Sequence, residues 1–188
     1  NLARATAAAA SDARMDGCQL PVVINSGSGN QGIAASIPVI IYARHYQISE
    51  EKLLRALCVS NLIAIHQKTS IGRLSAYCGA VSAACGSGAA IAYMLGGDYE
   101  TISGTITNTL ANVSGILCDG AKPSCAAKIA SSVDAAIMGL TMSFADLRFP
   151  DGDGIVKSNV EETIGVVGNI ASEGMRETDK VVIRHMIR

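Results

Sequence analysis

The chain has 188 residues, of which 49% are hydrophobic and 16% are charged, and its formal net charge is −1. This composition belongs to a folded globular protein and excludes a disordered chain. The near-neutral charge gives no basic footprint for nucleic acid or for an anionic membrane surface. Because only 4% of the residues are aromatic, the core has to be built from Ala, Ile, Val, Leu, Gly and Ser, which suits closely packed helices.

The hydrophobic pattern predicts helices along most of the chain. The first covers the Ala-rich segment Leu2–Met15, and after a short apolar stretch and a polar loop a second one covers Ile33–His45. Ser49, which is followed by two glutamates, predicts the start of a helix that runs to about Gln67. Further helices are expected over Ser75–Leu95, Tyr99–Leu117, Ser124–Met142, from a capping box at Ser158 and Glu161 to about Met175, and over Thr178–Ile187.

The stretch Leu74–Gly97 contains no charged residue and is long enough to span a bilayer. It is rich in Ala, Gly and Ser, however, and it lacks the aromatic belts of membrane helices. We therefore predict a buried helix at the centre of a bundle rather than a membrane anchor. No Pro/Ser-rich linker divides the chain, so we predict one all-α, compact helical domain over residues 1–188.

Six cysteines are present. Disulfide frameworks are typical of small secreted proteins, whereas this chain is larger and we expect it to have no signal peptide. We therefore expect reduced cysteines and a cytoplasmic location. Cys58 and Cys85 lie in apolar helical stretches and are expected to pack in the core, although Cys85 is close enough to Cys78 to be a substitute ligand. Cys18 precedes the glycine-rich loop, and we expect it to line a pocket.

Cys78, Cys118 and Cys125 are the strongest candidates for a metal-cofactor site. Thiolates suit zinc, copper(I) or iron–sulfur clusters, but the tight cysteine pairs of zinc sites and the commonest ferredoxin spacings are absent from the sequence. Adjacent glycines would let the backbone approach a bulky cluster, and Lys122 would neutralise charge on a cluster or on a substrate carboxylate. We predict three ligands of an iron–sulfur cluster with one iron open to substrate. The alternative is that these cysteines pack as small hydrophobic residues.

A glycine-rich polar loop reads SGSGNQG from Ser26 to Gly32 and leads into an apolar helix. Such a loop presents backbone N–H groups to an anion. It is not a P-loop, because no Gly-Lys-Ser/Thr follows, and no βαβ pattern surrounds it. Its hydroxyl and amide groups would suit a small carboxylate, and the alternative is a solvent-exposed linker. We predict a substrate-binding loop formed by Ser26, Gly27, Ser28, Gly29, Asn30 and Gln31.

Four segments that cover nearly the whole chain carry a shared resemblance: SDARMDG…LPVVINSGSGNQGI from Ser11, GRLSAYCGAVSAACGSGAA from Gly72, ANVSGILCDGAKPSCAAKIA from Ala111 and DGIVKSNVEETIGVVGNIASEGM from Asp153. They resemble the C-terminal half of L-cysteine desulfidases, which are related to the alpha chain of bacterial iron–sulfur L-serine dehydratases. The resemblance implies a cluster-binding domain like that of the serine dehydratase alpha chain, as the C-terminal part of a longer protein.

The resemblance also implies a chemistry. It assigns a [4Fe–4S] cluster to Cys78, Cys118 and Cys125, with the substrate on the open iron. The reaction would be α,β-elimination, which converts L-cysteine to pyruvate, ammonia and sulfide, or L-serine to pyruvate and ammonia. The loop Ser26–Gly32 matches the part of the family that holds the substrate carboxylate. The family's general base lies near the N-terminus of the full-length protein, so we expect it outside this chain.

Several alternatives stay open at this point. Cys85 aligns loosely with a ligand segment of serine dehydratase, so the first cluster ligand is either Cys78 or Cys85. The chain is expected to work with an N-terminal half or a partner subunit, and a homodimer is a further option. A catalytically incomplete fragment or subunit, or a domain with a structural zinc site, is the alternative to a lyase. No nucleic acid and no membrane partner is expected.

Overall fold

The computed structural model describes residues 1–72 and 75–187 of the chain. These residues form eight α-helices and one π-helical turn, in the order α1 (Leu2–Met15), α2 (Gly29–His45), α3 (Glu50–Ile71), α4 (Gly79–Met94), α5 (Tyr99–Val113), α6 (Cys125–Phe144), α7 (Val160–Asn169), the π-helical turn (Ile170–Gly174) and α8 (Arg176–Met186). The predicted all-α fold is confirmed, and α1 has the bounds that the sequence predicts.

Helix α4 forms the centre of the bundle, and α2, α3, α5 and α6 all pack against it. Every residue of α4 except Tyr93 is buried, which its small side chains allow because they let the neighbouring backbones approach closely. A Cβ atom on Gly86 would lie 2.4 Å from the carbonyl oxygen of Ser60 in α3. The predicted buried central helix is therefore confirmed over Gly79–Met94, although it begins four residues after the predicted start at Ser75. Leu74, the first residue of the predicted uncharged stretch, lies outside the described residues.

Helix α6 has the length and composition that would allow it to cross a membrane, and it is the one such helix in the described part of the chain. It packs against α1, α4 and α5, and its buried face includes Ile129, Val133 and Leu140. A core helix of a bundle passes the same test of length and composition. The apolar character of α6 is thus accounted for by its packing against these three helices.

Two short non-helical pieces lie at the same end of the bundle. Residues 25–28 form a tight turn in which the backbones of Asn25 and Ser28 donate to each other over 3.2 and 3.1 Å. The second piece is an antiparallel bridge between Tyr77 and Leu117, which joins the start of α4 to the segment after α5. The turn and the bridge both contribute residues to the candidate site and hold them in position.

Several predicted boundaries are wrong for local reasons. Helix α2 begins at Gly29, inside the predicted loop, and α5 ends at Val113 because the following residues are needed for the bridge to Tyr77. The cap of α7 is Asn159 rather than Ser158, since its side chain accepts from the backbone N–H of Glu162 at 2.9 Å. The predicted burial of Cys58 is also wrong, because this residue is exposed on α3.

Candidate functional site

A pocket of about 270 Å³ brings the three predicted cysteine ligands together with most of the predicted substrate loop. Two members of the predicted set, Gly29 and Lys122, are not among its lining residues. The cysteines come from three different places in the fold: the start of α4, the strand-like segment before α6, and the start of α6. The predicted residues that line the pocket are Cys78, Cys118, Cys125, Ser26, Gly27, Ser28, Asn30 and Gln31.

The backbone bridge sets the relative positions of Cys78 and Cys118. The N–H of Cys78 donates to the carbonyl of Ile116 at 2.9 Å, and the N–H of Cys118 donates to the carbonyl of Ala76 at 2.7 Å. The Cys78 thiol beside it, as a hydrogen-bond donor to the thiolate, lowers the pKa of Cys118 to about 6. The same pairing, together with burial, raises the pKa of Cys78. One of these two sulfurs is therefore ready to bind a metal as a thiolate at neutral pH.

Cys125 is the first residue of α6 and is held by the turn before it. Its sulfur lies 3.5 Å from the backbone nitrogen of Lys122, which donates to it, and 3.5 Å from the carbonyl oxygen of Gly120. Lys122 thus contacts the candidate ligand through its backbone, while the residue as a whole is exposed. The sequence predicts an electrostatic role for the ammonium group of Lys122, but the contact with Cys125 is made by the backbone of Lys122.

Three helix N-termini converge on the pocket, those of α2, α4 and α6. Their N-cap residues are Ser28, Cys78 and Ser124, and none of these side chains caps its helix within the residues that the structure describes. None of the three first turns contains an acidic residue. We call these the open N-termini. Since helix N-termini carry partial positive charge and unsatisfied N–H groups, the open N-termini give the pocket a positive potential that favours anions.

Two cations that the sequence did not single out line the same pocket, Arg14 and Lys128. Arg14 comes from α1, and its Nη1 donates to Oδ1 of Asn30 at 3.0 Å. Lys128 lies one turn after Cys125 on α6 and pairs with Asp119, and this ammonium holds the pKa of the Asp119 carboxyl below its usual range. The one-turn spacing from Cys125 is a signal that could have revealed Lys128, whereas no sequence signal pointed to Arg14.

Gln31 lies across the first residue of α4. A Cβ atom on Gly79 would come within 2.3 Å of the Gln31 amide carbon, so a glycine at this position is what allows the glutamine to lie here. Gln31 is only 8% exposed, and its Oε1 has no hydrogen-bond partner among the described residues. An unsatisfied buried acceptor costs free energy, which indicates that a ligand with a donor group would complete this site.

The other cysteines considered from sequence lie elsewhere. Cys85 is completely buried in the core with Val81 and Leu110, and burial raises its pKa to about 12. Of the two candidates for the first ligand, the structure therefore brings Cys78 and not Cys85 to the pocket. Cys18 lines a separate apolar pocket of about 410 Å³ beside Leu20 and Val22.

The described ranges, 1–72 and 75–187, contain no group of three or more His, Cys, Asp or Glu side chains placed to hold one metal ion. A four-iron cluster makes a different demand, because each cysteine binds a different iron and the thiolates surround a bulky core. The three cysteines of the pocket form no disulfide with any residue that the structure describes. Their number and chemistry fit three protein ligands of such a cluster.

Comparison with known proteins places the chain in a family. The sequence profile of the serine dehydratase alpha chain family matches residues 2–184. A UPF0597 protein of Treponema denticola is 61% identical to the chain, over 96% of the chain and 42% of its own length. A UPF0597 protein of Lachnoclostridium phytofermentans is also 61% identical, over 98% of the chain and 44% of its own length. A UPF0597 protein of Fusobacterium nucleatum is 50% identical over the whole chain and 44% of its own length.

The chain thus spans less than half the length of the curated relatives that it matches. No solved structure matches it significantly. The profile covers almost every residue from α1 to α8, including the cysteine pocket and the turn that faces it. The chain therefore belongs to the serine dehydratase alpha chain family.

Proposed function

We propose that this chain carries the cofactor and substrate site of an iron–sulfur-dependent amino-acid lyase. The reaction is α,β-elimination of L-cysteine or L-serine to pyruvate and ammonia, with sulfide as a further product from cysteine. The observation that carries the proposal is the pocket that brings Cys78, Cys118 and Cys125 together with the open N-termini. Membership in the serine dehydratase alpha chain family supports the same class of reaction.

A [4Fe–4S] cluster would be held by the three cysteines of the pocket. Soft thiolate ligands select such clusters, and the lowered pKa of Cys118 favours its binding form. The positive potential of the open N-termini and of Lys128 would stabilise the negative charge of a thiolate-bound cluster. When bound, the cluster would supply an open iron that acts as a Lewis acid toward the leaving group.

The residues opposite the cysteines are arranged to hold an amino acid. The first N–H groups of α2, with Ser28 and the Arg14 guanidinium, offer donors to a carboxylate. Gln31 Oε1, which is buried without a partner in the described structure, would accept a hydrogen bond from the substrate's ammonium group. Fixing both charged ends of the substrate orients its α-carbon for proton removal and lowers the entropic part of the barrier.

The rest of the proposal concerns the whole protein. Because the chain spans only 42% to 44% of its relatives' length, we infer that a further part of the protein, an N-terminal half or a partner subunit, works with this domain. A second copy of the chain in a homodimer is compatible with this arrangement. The cytoplasmic location, and a function without nucleic acid or membrane, belong to the same proposal.

Metal and sulfide analysis of the full-length protein, purified without oxygen, tests the cofactor. We expect a brown protein with broad visible absorbance and equal amounts of iron and acid-labile sulfide. Cys118→Ser should abolish the colour, because it removes a thiolate of the pocket. Cys58→Ser is the matched control and should keep the colour, since Cys58 is exposed on α3 away from the pocket. A colourless protein with stoichiometric zinc would contradict the cluster assignment.

Pyruvate release tests the reaction itself. The wild-type protein is incubated with L-cysteine and with L-serine, and pyruvate is measured by coupled reduction with lactate dehydrogenase. Comparison of the full-length protein with residues 1–188 alone shows whether this domain needs its partner segment. A brown protein that releases pyruvate from neither amino acid would keep the cofactor but contradict the lyase assignment.

A further inference from the structure

The outer side of helix α3 carries a strip of apolar side chains that the described residues leave uncovered. Leu54, Cys58, Leu62 and Ile65 recur at intervals of three and four residues, so they lie along one side of the helix. The exposed fractions are 56% for Leu54, 64% for Leu62 and 46% for Ile65, and Cys58 is exposed as well. We call these four residues the outer strip. The opposite side of α3 packs on α4, so the outer strip faces away from the bundle.

An extended segment, residues 20–24, adds a second apolar surface. Leu20, Val23 and Ile24 are 76%, 81% and 66% exposed. Within the described ranges, the backbone of this segment takes part in no backbone–backbone hydrogen bond. An extended segment with unpaired backbone groups is a template for pairing with another piece of chain. Both its side chains and its backbone are therefore available to a partner.

A hydrogen bond joins the two surfaces. Nδ2 of Asn25 donates to Oδ1 of Asn61 on α3 at 2.8 Å, and Asn25 is only 3% exposed. Since Asn25 follows Ile24 directly and Asn61 directly precedes Leu62, the extended segment ends beside the outer strip. We call the segment and the strip together the outer patch.

The outer patch borders the cysteine pocket. Ser26 and Gly27 line that pocket, and together with Ile65 they also line a neighbouring groove of about 650 Å³. Ile65 belongs to the outer strip, so the strip reaches the turn that forms one wall of the pocket. A protein segment seated on the outer patch would lie against this wall.

The composition of the outer patch favours a protein partner with an apolar surface. The chain has no charged residue from Gly17 to Ala43, a range that includes the whole extended segment, and the four members of the outer strip are apolar. A contiguous exposed apolar patch marks an interaction site, and the centre of a stable interface is depleted of charged residues.

The length of the relatives identifies the occupant. The chain covers 42% and 44% of the two UPF0597 proteins that are 61% identical to it, so more than half of each relative lies outside the matched part. A part of that size is large enough to have a surface of its own. Because it belongs to the same polypeptide, its effective concentration at the outer patch is high, which favours it over a second copy of the chain.

We propose that the outer patch is the surface on which the rest of the full-length protein docks, an inference that rests on the proposed cooperation of this domain with a further part of the protein. Apolar side chains of that part cover the outer strip, and its backbone or side chains pair with residues 20–24. The docked part thereby lies beside Ser26 and Gly27, at the edge of the cysteine pocket.

Cys58 is a natural reporter at the centre of the outer strip. The full-length protein, prepared without oxygen, is treated with N-ethylmaleimide, and the labelled tryptic peptides are followed by mass spectrometry. We expect Cys58 to react about 100-fold more slowly than the thiol introduced by Leu147→Cys, because a covered residue reacts only when the interface opens. Leu147 is a matched position, since it is 58% exposed and follows α6. In denaturant the two thiols should react equally fast.

A charge placed in the outer strip should open the interface. We expect Leu62→Lys in the full-length protein to speed the labelling of Cys58 at least about tenfold, because an unpaired ammonium is costly to bury. Deuterium exchange at the amides of residues 22–24 should accelerate in the same variant. Leu147→Lys is the matched control and should leave Cys58 slow to react. The labelling of the wild type decides the matter where Leu62→Lys fails to fold.

Three results would overturn the proposal. The first is a wild type in which Cys58 reacts as fast as the thiol introduced by Leu147→Cys. The second is protection of Cys58 that is lost on dilution, in a particle with the mass of two chains by light scattering, which would assign the outer patch to a second copy. The third is protection that requires added phosphatidylglycerol vesicles, which would assign it to a membrane.

The docking surface and the lyase function can fail separately. A brown protein that releases pyruvate while Cys58 is freely labelled would contradict the docking surface alone. A protein in which Cys58 is protected, but which holds no cluster and releases no pyruvate, would contradict the lyase function and leave the docking surface in place.

Discussion

Two groups of helix N-termini in this protein are built differently. Helices α3, α5 and α7 each begin with a side-chain cap, from Ser49, Asp98 and Asn159, and each has an acidic residue in its first turn. The open N-termini of α2, α4 and α6 have neither feature in the residues described, and they meet at the cysteine pocket. These six helices thus divide into three whose N-termini are capped by their own side chains and three whose N-termini lie at the candidate site.

The difference shows which helix ends keep backbone N–H groups available for a ligand. A capped N-terminus is about 1 kcal/mol more stable than one with alanine at the cap, so three open ends together give up a noticeable part of a marginal stability. In return, unpaired N–H groups and positive potential remain available for thiolates and carboxylates. Helices α1 and α8 do not follow this division: within the described residues, α1 has neither a side-chain cap nor an early acidic residue although its start does not line the pocket, and α8 has acidic residues in its first turn but no side-chain cap.

Among the three tests of this comparison, removal of the Arg14 guanidinium from the pocket should change KM the most. We expect Arg14→Gln to raise KM for L-serine or L-cysteine about 10- to 100-fold with a smaller change in kcat, because a charge-assisted hydrogen bond to a carboxylate is lost. Steady-state kinetics measures this. Arg4→Gln is the control on the same helix, since Arg4 pairs with Asp134 on the surface. If Arg4→Gln raised KM as much as Arg14→Gln, the effect would come from the net charge of α1 and not from a contact of Arg14 with the substrate.

Closing one open N-terminus should have an intermediate effect. We expect Ser28→Asp to stabilise α2 by about 0.3–1 kcal/mol through the helix dipole, and to raise KM about tenfold by repelling the substrate carboxylate. Urea denaturation measures the change in stability, and steady-state kinetics on the same preparation measures the change in KM. Ser49→Asp at the capped start of α3 should leave KM unchanged, and the contrast between open and capped ends would fail if both variants behaved alike.

Opening a capped N-terminus should have the smallest effect on function. We expect Asn159→Ala to lower the free energy of unfolding by about 1 kcal/mol, because the side chain that accepts from the N–H of Glu162 is lost. Kinetics should show the wild-type KM, since α7 contributes no residue to the pocket. A rise in KM as large as that of Ser28→Asp would mean that both groups of N-termini serve the site.

The sequence predicts the helical fold well because the patterns behind it are local. The Ala-rich α1, the glutamates after Ser49 and the small apolar residues of α4 each indicate a helix without reference to the rest of the chain. The predicted helix boundaries that are wrong depend on contacts with other segments of the chain. Helix α5 stops short because its continuation pairs with the segment before α4, and the first turn of α2 lies against Val23, whose carbonyl oxygen leaves no room for a Cβ atom on Gly32.

The candidate site was predictable only in part for the same reason. The cysteines and the polar loop stand out by residue type, and the structure brings most of them to one pocket, although their roles stay predictions. Arg14 belongs to an ordinary amphipathic helix, and only the fold brings it next to Asn30.

The bridge between Tyr77 and Leu117 has a consequence for the entropy of binding at this pocket. Cys78 and Cys118 are forty residues apart in sequence, and backbone hydrogen bonds at the bridge draw them together. These hydrogen bonds offset the entropy of closing the loop between the two cysteines. A ligand that contacts both sulfurs therefore meets a loop that is already closed, and it does not have to supply that entropy from its own binding.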